Sequence, residues 1–382
     1  VTVHMTPGDG QRFIRELWRV LPDPFTPTRE KATTGRHNVR LLVSCRSHYF
    51  RRVWEQNTML LGEQREGVRS EHYRALTLLP FTEEQIGDYL RRNVPGIDAD
   101  AALATIGSIH NLTDLASRPY TLSLIGDLLP ELERRAREGK AVHAVDLYDE
   151  MTRQWLLRDS GKHQFNTTQK ELLMERLAAA MWTSGQRDWQ VDRLEHWLDD
   201  TIEADTRLKG ALGNTNRDVL KEDLRTATFL VRPDTDSFRF GHTSLQEYFL
   251  ARHLARALDD KRPDAWAMPV PSVETLDFLL QLVDRNARRA EEELSAMLGT
   301  YIPAQSELAF RFWAFASGKG VWLRRPAAID LAGANVPDVE LRGTKNVPLD
   351  LRHIDLRGAV ALRLRVHHAD LSGTQLQSAS LQ

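Results

Sequence analysis

The strongest constraint on the fold lies in the tail, where apolar residues recur every five positions. Stepping by five from Leu331 gives Leu331, Val336, Leu341, Asn346, Leu351, Leu356, Ala361, Val366, Leu371, Leu376 and Leu381, and ten of these eleven are apolar. Two residues earlier runs a second series, Ile329, Ala334, Val339, Thr344, Leu349, Ile354, Ala359, Leu364, Ala369, Thr374 and Ala379, with no charge and mostly small side chains. A five-residue period matches neither the roughly 3.6-residue turn of a helix nor the alternation of a strand. It fits a solenoid of square cross-section with one pentapeptide per face. In that arrangement the central residues stack inside, the small residues two positions earlier take the tight corners, and the charged positions face water. Gln382 falls within a repeat, so no cap is evident at that end.

The rest of the chain is too long for a single core. A length of 382 residues implies about two to four domains. With 41% apolar and 27% charged residues it reads as a soluble globular protein. The formal net charge of −2 gives no general attraction to polyanions. Cys45 is the sole cysteine, which excludes an internal disulfide or a thiolate zinc cluster and fits the reducing cytoplasm. No apolar window reaches the length of a membrane span. The start lacks the order of a signal peptide and has no Met at position 1, which reads as a fragment of a longer protein.

Along the chain, Gln11–Val20 has helical spacing, and Val39–Val43 is an apolar run of buried-strand length closed by Ser44-Cys45-Arg46-Ser47. Thr82 with Gln85 three residues on has capping-box spacing, and Ile86, Tyr89 and Leu90 form the stripe of the helix it starts. Helices are predicted over Ala101–Ile109, Thr121–Glu138 (kinked or split at Pro130), Ala144–Arg158, Gln169–Trp182 and Leu194–Leu198. Little resembles strand before Thr228. There Phe229-Leu230-Val231 and Ser237–Phe240 flank the turn-rich Pro233–Asp236, which predicts a β-hairpin. A helix over Ser244–Leu258 follows directly, and Val273–Phe315 is helical again. Helices feeding a hairpin are the order of a winged-helix module.

Four segments, in this order, resemble NACHT domains of the STAND class of nucleotide-switched signalling ATPases. Arg40–Arg46 resembles the family's sensor-1 strand, and Leu79–Ile86 the start of its first helical domain. Ser117-Arg118-Pro119-Tyr120-Thr121-Leu122 resembles the segment whose proline lies near the adenine. Phe238–Ala251, containing Gly241-His242-Thr243-Ser244, resembles the winged-helix segment whose histidine contacts the β-phosphate of ADP. The resemblance implies that Arg46, Pro119 and His242 converge on one nucleotide site. A guanidinium at a strand's carboxyl end suits phosphate, an N1 proline offers a flat apolar wall, and a helix N-terminus favours anions. Segments such as Ala369–Gly373 and Ala379–Gln382 resemble the pentapeptide-repeat family.

The expected fold is therefore a multidomain α+β chain. Residues 1–75 form part of an α/β NTPase core with the sensor-1 strand at 39–46, and 76–145 a helical domain. Residues 146–258 form a winged helix, 259–325 a helical linker, and 326–382 a right-handed quadrilateral pentapeptide-repeat β-helix. The sequence departs from the family in one respect: no G-x-x-x-x-G-K-[ST] loop occurs, nor an acidic Walker B strand. The resemblance thus implies ATP or ADP with Mg in a longer parent, no tight binding or hydrolysis by this chain alone, and no metal site or catalytic residue. A protein partner or ligand is expected at the repeats, with a nucleotide-dependent homo-oligomer in the parent. Two other readings stay open. One is an interaction scaffold without a nucleotide role, in which the repeats carry equal numbers of acidic and basic residues and so do not imitate DNA. The other is a DNA binder using Arg252, His253 and Arg256 after the hairpin, with His253 on the outside of its helix; DNA is the less expected partner.

Overall fold

The computed structural model describes residues 79–381, apart from 109–111, 139–142, 159–163, 227–228, 234–235, 285–286, 320, 322 and 346–347. The expected helix at 11–20, the strand at 39–43 and Arg46 lie outside the described residues. The described residues fall into two compact units. One comprises 155–170 and 187–241; the other comprises 81–154, 171–186 and 242–382.

In the larger unit, helix α1 (Glu83–Asn93) begins with the expected capping box: the Gln85 amide donates to Thr82 Oγ1 at 3.3 Å and the Thr82 amide to Gln85 Oε1 at 2.9 Å. Helices α2 (Ala99–Ser108), α3 (Leu112–Ala116) and α4 (Pro119–Arg137) follow. Helix α4 runs unsplit through Pro130, which is exposed. Pro119 is the first residue of α4, where a missing N–H costs nothing. Next come α5 (Ala144–Arg158) and α6 (Thr167–Thr183), which contribute Ala144–Gln154 and Glu171–Thr183 to this unit.

The smaller unit contains three further helices, α7 (Val191–Ala204), α8 (Thr206–Leu212) and α9 (Arg217–Arg225). Asp205 caps α8 and Asn216 caps α9 through their side-chain oxygens. Strands β2 (Leu230–Val231) and β3 (Ser237–Phe240) form the expected hairpin, with Leu230 opposite Phe240. A third strand, β1 (Trp189–Gln190), pairs antiparallel with β3, so the sheet order is β1-β3-β2. The sequence reading missed β1, since two residues are too short to show alternation. Trp155 packs edge-on against Phe229 at 5.2 Å, and both are buried.

Helix α10 (Thr243–Asp259) is the spine of the larger unit. Ser244 to Ala251 are all buried, so this segment has no solvent face. A 3-10 turn (Pro263–Trp266) leads to α11 (Val273–Asp284), α12 (Ala287–Gly299) and α13 (Gln305–Gly318). The Trp266 indole donates to the Leu254 carbonyl at 3.1 Å and stacks edge-on against Phe312 of α13.

After α13 the backbone winds into short parallel pairings. Asp330 pairs with Asp355 and Asn335 with Val360. Strand β4 (Glu340–Arg342) pairs with β6 (Arg365–His367), again 25 positions on. Strand β5 (Leu349–Asp350) pairs with β7 (Ala369–Asp370), and Asp355 with Gln375, at an offset of 20. The regular step is thus four pentads, and the first turn carries one pentad more.

Both five-residue series point inward at first. Leu331, Val336, Leu341, Leu351 and Ala361 are buried, and so are Ile329, Ala334, Val339, Leu349, Ile354 and Ala359. This corrects the expectation that the small series forms the corners. A left-handed turn residue sits two positions after most of the central residues: Gly333, Asp338, His353, Gly358, Arg363, His368, Gly373 and Ser378 have positive φ, whereas Gly343 does not. The first turn is covered by α13 and its flanks. Arg311 donates to the carbonyls of Pro337 and Asp338, the Asn335 amide to Glu307 at 2.8 Å, and the Asp330 amide to the Leu298 carbonyl at 2.8 Å. At the far end Leu371, Leu376 and Leu381 are 42–46% exposed.

Candidate functional site

The His242 junction is the site that the sequence points to most specifically. His242 is extended (φ −149°, ψ 147°) and is the N-cap of α10. Its Nδ1 accepts the Ser244 backbone N–H at 3.1 Å and lies 2.7 Å from Ser244 Oγ. An accepting Nδ1 leaves the ring proton on Nε2. That Nε2 lies 3.3 Å from Oδ2 of Asp114 on α3. The imidazole is thus a fixed tautomer with one N–H donor directed at an anionic oxygen.

Burial pushes the His242 pKa below the ordinary histidine value, although the bond to Asp114 pulls the other way and Arg118 adds to the depression. The neutral ring is therefore the form present near pH 7. Ser244, fully buried, also accepts the Tyr148 hydroxyl at 2.7 Å. Burial raises the Tyr148 pKa, so it stays a donor. Tyr148 packs against Phe278 of α11 at 4.8 Å and Tyr248 at 5.4 Å.

Further along α10 lies a buried ionic cluster. Glu175 of α6 has no solvent exposure and receives Arg252 Nε at 3.0 Å and Arg256 Nε and Nη2 at 2.5 and 2.8 Å. Arg252 also reaches the Tyr248 hydroxyl at 3.1 Å and Glu171 at 3.3 Å. The Tyr248 hydroxyl donates to Asp149. His253 is buried beside these groups, and desolvation lowers its pKa to about 4. The structure therefore overturns the expectation that His253 lies outside its helix. Arg252 and Arg256 are both paired with the Glu175 carboxylate, Arg256 at a side chain about one-third exposed.

In the smaller unit the cations of α9 are likewise matched by acids of α7. Arg217 meets Glu203 at 2.6 Å, Lys221 meets Asp199 at 2.9 Å, and Arg225 bonds Glu195. Among the described residues no group of three or more His, Cys, Asp or Glu side chains could hold a metal ion, and no helix is long and apolar enough to cross a membrane.

Of the three residues singled out from sequence, His242 sits at the junction, and Pro119 directly follows Arg118, whose charge acts on His242. Arg46 lies outside the described residues. Sequence reasoning missed Asp114, Ser244 as a buried acceptor, and Tyr148. Asp114 and Tyr148 are 128 and 96 positions from the groups they bond, and no local pattern marks them.

Residues 148–254 match the family model described as the winged helix-turn-helix domain C-terminal to NACHT. This match supports a NACHT-associated protein with a winged-helix domain. The chain is also 25% identical over 258 residues, 65% of its length, to an uncharacterized WD repeat-containing protein of Nostoc sp.. It spans about 15% of the length of that curated relative.

Proposed function

We propose that this chain is the regulatory part of a nucleotide-switched NACHT signalling ATPase, in which His242 reports on a bound nucleoside diphosphate. The observation that carries the reading is the Nε2–H of His242, fixed in tautomer at the N-cap of α10 and already satisfied by an anionic oxygen. Such a donor suits a phosphate oxygen. The fit extends to one contact only. The remaining phosphate and Mg²⁺ ligands, including a Walker A lysine and Arg46, would come from elsewhere in a longer protein, with Pro119 beside the base. This chain alone would bind nucleotide weakly and hydrolyse none.

We read the coiled tail as a pentapeptide-repeat β-helix, right-handed and four-sided, acting as the docking or sensing surface. The five-residue series and the 20-residue pairing offset support that reading. Coupling would run within the larger unit, where α10 carries His242 at one end. Near its other end Trp266 joins Leu254 to Phe312 of α13, which lies on the first turn of the tail. A ligand on the tail shifts the switch only by its differential affinity for the two states. We place the protein in the bacterial cytoplasm, in signalling or anti-phage defence, with nucleotide-dependent homo-oligomerisation. A protein or small ligand is the proposed partner, not DNA, because the cations on α9 and α10 named above are paired with carboxylates.

The test is ADP titration into the chain extended upstream of Val1, followed by calorimetry. Binding should be present, and His242→Ala should weaken it and raise the oligomeric fraction. Indifference of the extended protein to nucleotide overturns the proposal.

A further inference from the structure

His242 has a single donor to offer, and Asp114 takes it. The two partners are held very differently. The His242 side chain is 14% exposed, sits in an N-cap, and has its Nδ1 fixed by the Ser244 amide. Asp114 is 74% exposed and rides on α3, a helix of five residues. The imidazole is therefore the rigid half of the pair and the carboxylate the movable half.

We propose that Asp114 is an intramolecular competitor for the phosphate site, a carboxylate that occupies the His242 Nε2–H when nucleotide is absent and must be displaced when a diphosphate binds. This rests on the nucleotide reading of His242 given above. The chemistry follows from the donor inventory. One N–H bonds one acceptor at full strength, so a phosphate oxygen and the Asp114 carboxylate exclude each other on Nε2. They also repel as like charges, so the carboxylate has to swing toward solvent, where its exposure already places it. The donor survives this exchange, because the Ser244 amide and not Asp114 sets the tautomer. Arg118 on the same segment supplies a positive charge for whichever anion is present. Asp114 therefore weakens the inactive, diphosphate-bound state and recaptures His242 on release.

The experiment uses the chain extended upstream of Val1 and measures ADP affinity calorimetrically at low salt for wild type, Asp114→Ala, Asp114→Asn, His242→Ala and the Asp114→Ala/His242→Ala pair. Removing an exposed competing charge should tighten ADP binding about threefold to fivefold in Asp114→Ala. Asp114→Asn, which keeps an acceptor but loses the charge, should fall between. In the His242→Ala background the Asp114 substitution should have no effect. If His242→Ala weakens binding while Asp114→Ala leaves it unchanged or weaker, the competitor role is overturned and the nucleotide reading stands. If ADP does not bind, or binds without regard to His242, both fall. A second measurement uses the 382-residue chain: the ¹⁵N shift of His242 Nε2 should move on Asp114→Ala, and an unmoved signal also overturns the proposal.

Discussion

Glu175 on α6 and Arg256 on α10 meet in a two-point ion pair, at 2.5 and 2.8 Å, around a carboxylate with no solvent exposure. Arg252 reaches the same carboxylate at 3.0 Å. A wholly buried Glu is tolerated only because two guanidiniums satisfy it, and removing it leaves those cations facing each other in a poorly solvated place. Glu175→Ala should destabilise the protein by roughly 3–5 kcal/mol. Arg256→Ala, at a side chain about one-third exposed, should cost distinctly less. Urea unfolding monitored by tryptophan fluorescence ranks the two; equal costs would mean that the cluster is not the tie between α6 and α10 described above.

His253 predicts an acid sensitivity. Its folded pKa of about 4 lies below the ordinary histidine value because burial disfavours the charged ring, and Arg262, Arg176 and Arg256 add to this while Glu175 opposes it. A base with a depressed pKa binds more protons unfolded than folded, so stability is complete above the unfolded value and falls as pH drops toward 4. The loss across the window from about 6.5 to 4 amounts to roughly 3 kcal/mol. Asp350, whose carboxyl lies at about 2 through its bond to Arg352, loses its contribution at lower pH and stays out of this window. Melting temperatures of wild type and His253→Gln should diverge below neutrality, with wild type the steeper. Parallel pH profiles would contradict the assignment.

Much of this architecture could be read before any coordinates, and the failures share a physical origin. The capping box at Thr82 is a local event, wholly contained in Thr82–Gln85, and the pairing of β2 with β3 joins strands a few residues apart. The five-residue series falls on the run of short parallel pairings after α13. The corner assignment went astray because composition alone does not separate an inward small residue from a turn residue. Gly333, Gly358 and Gly373 mark the true corners, but Asp338, His353 and Arg363 fill equivalent places. His253 was misplaced because α10 is buried on several sides at once, where a one-sided stripe no longer applies. The place of His242 at a strand-to-helix junction was legible from its own segment; its partner Asp114, contributed by α3, was not.

The tail should show a gradient of core energetics along its length. Leu351 is buried between successive turns, whereas Leu376, a central residue of the last described turn, is 42% exposed. Truncating a buried leucine removes transfer energy and leaves a cavity; truncating a half-exposed one does little of either. Leu351→Ala should cost about 2–4 kcal/mol and Leu376→Ala under about 1 kcal/mol. Hydrogen exchange across 349–380 provides the measurement. Equal loss of protection in both variants would mean that the turns do not stack in the order described.

The extra pentad of the first turn predicts a site where even one methyl group is not accepted. A Cβ on Gly343 would come within 2.2 Å of the His368 carbonyl oxygen and 2.4 Å of the Leu349 nitrogen. Both are backbone atoms already bonded to each other, the Leu349 amide donating to the His368 carbonyl at 2.9 Å, while the Gly343 amide is itself held by the His367 carbonyl at 2.8 Å. No flexible side chain can yield, so the two turns must separate to admit the group. Gly343→Ala should destabilise the tail by about 2 kcal/mol or more, the cost of overpacking against fixed backbone. Gly358→Ala meets no atom within 4 Å but sits at φ +66°, so its cost is that of left-handed backbone, about 1 kcal/mol. Limited proteolysis of the two variants separates the causes. Gly343→Ala should open the chain on both sides of the 343–368 contact, while Gly358→Ala should leave that contact protected.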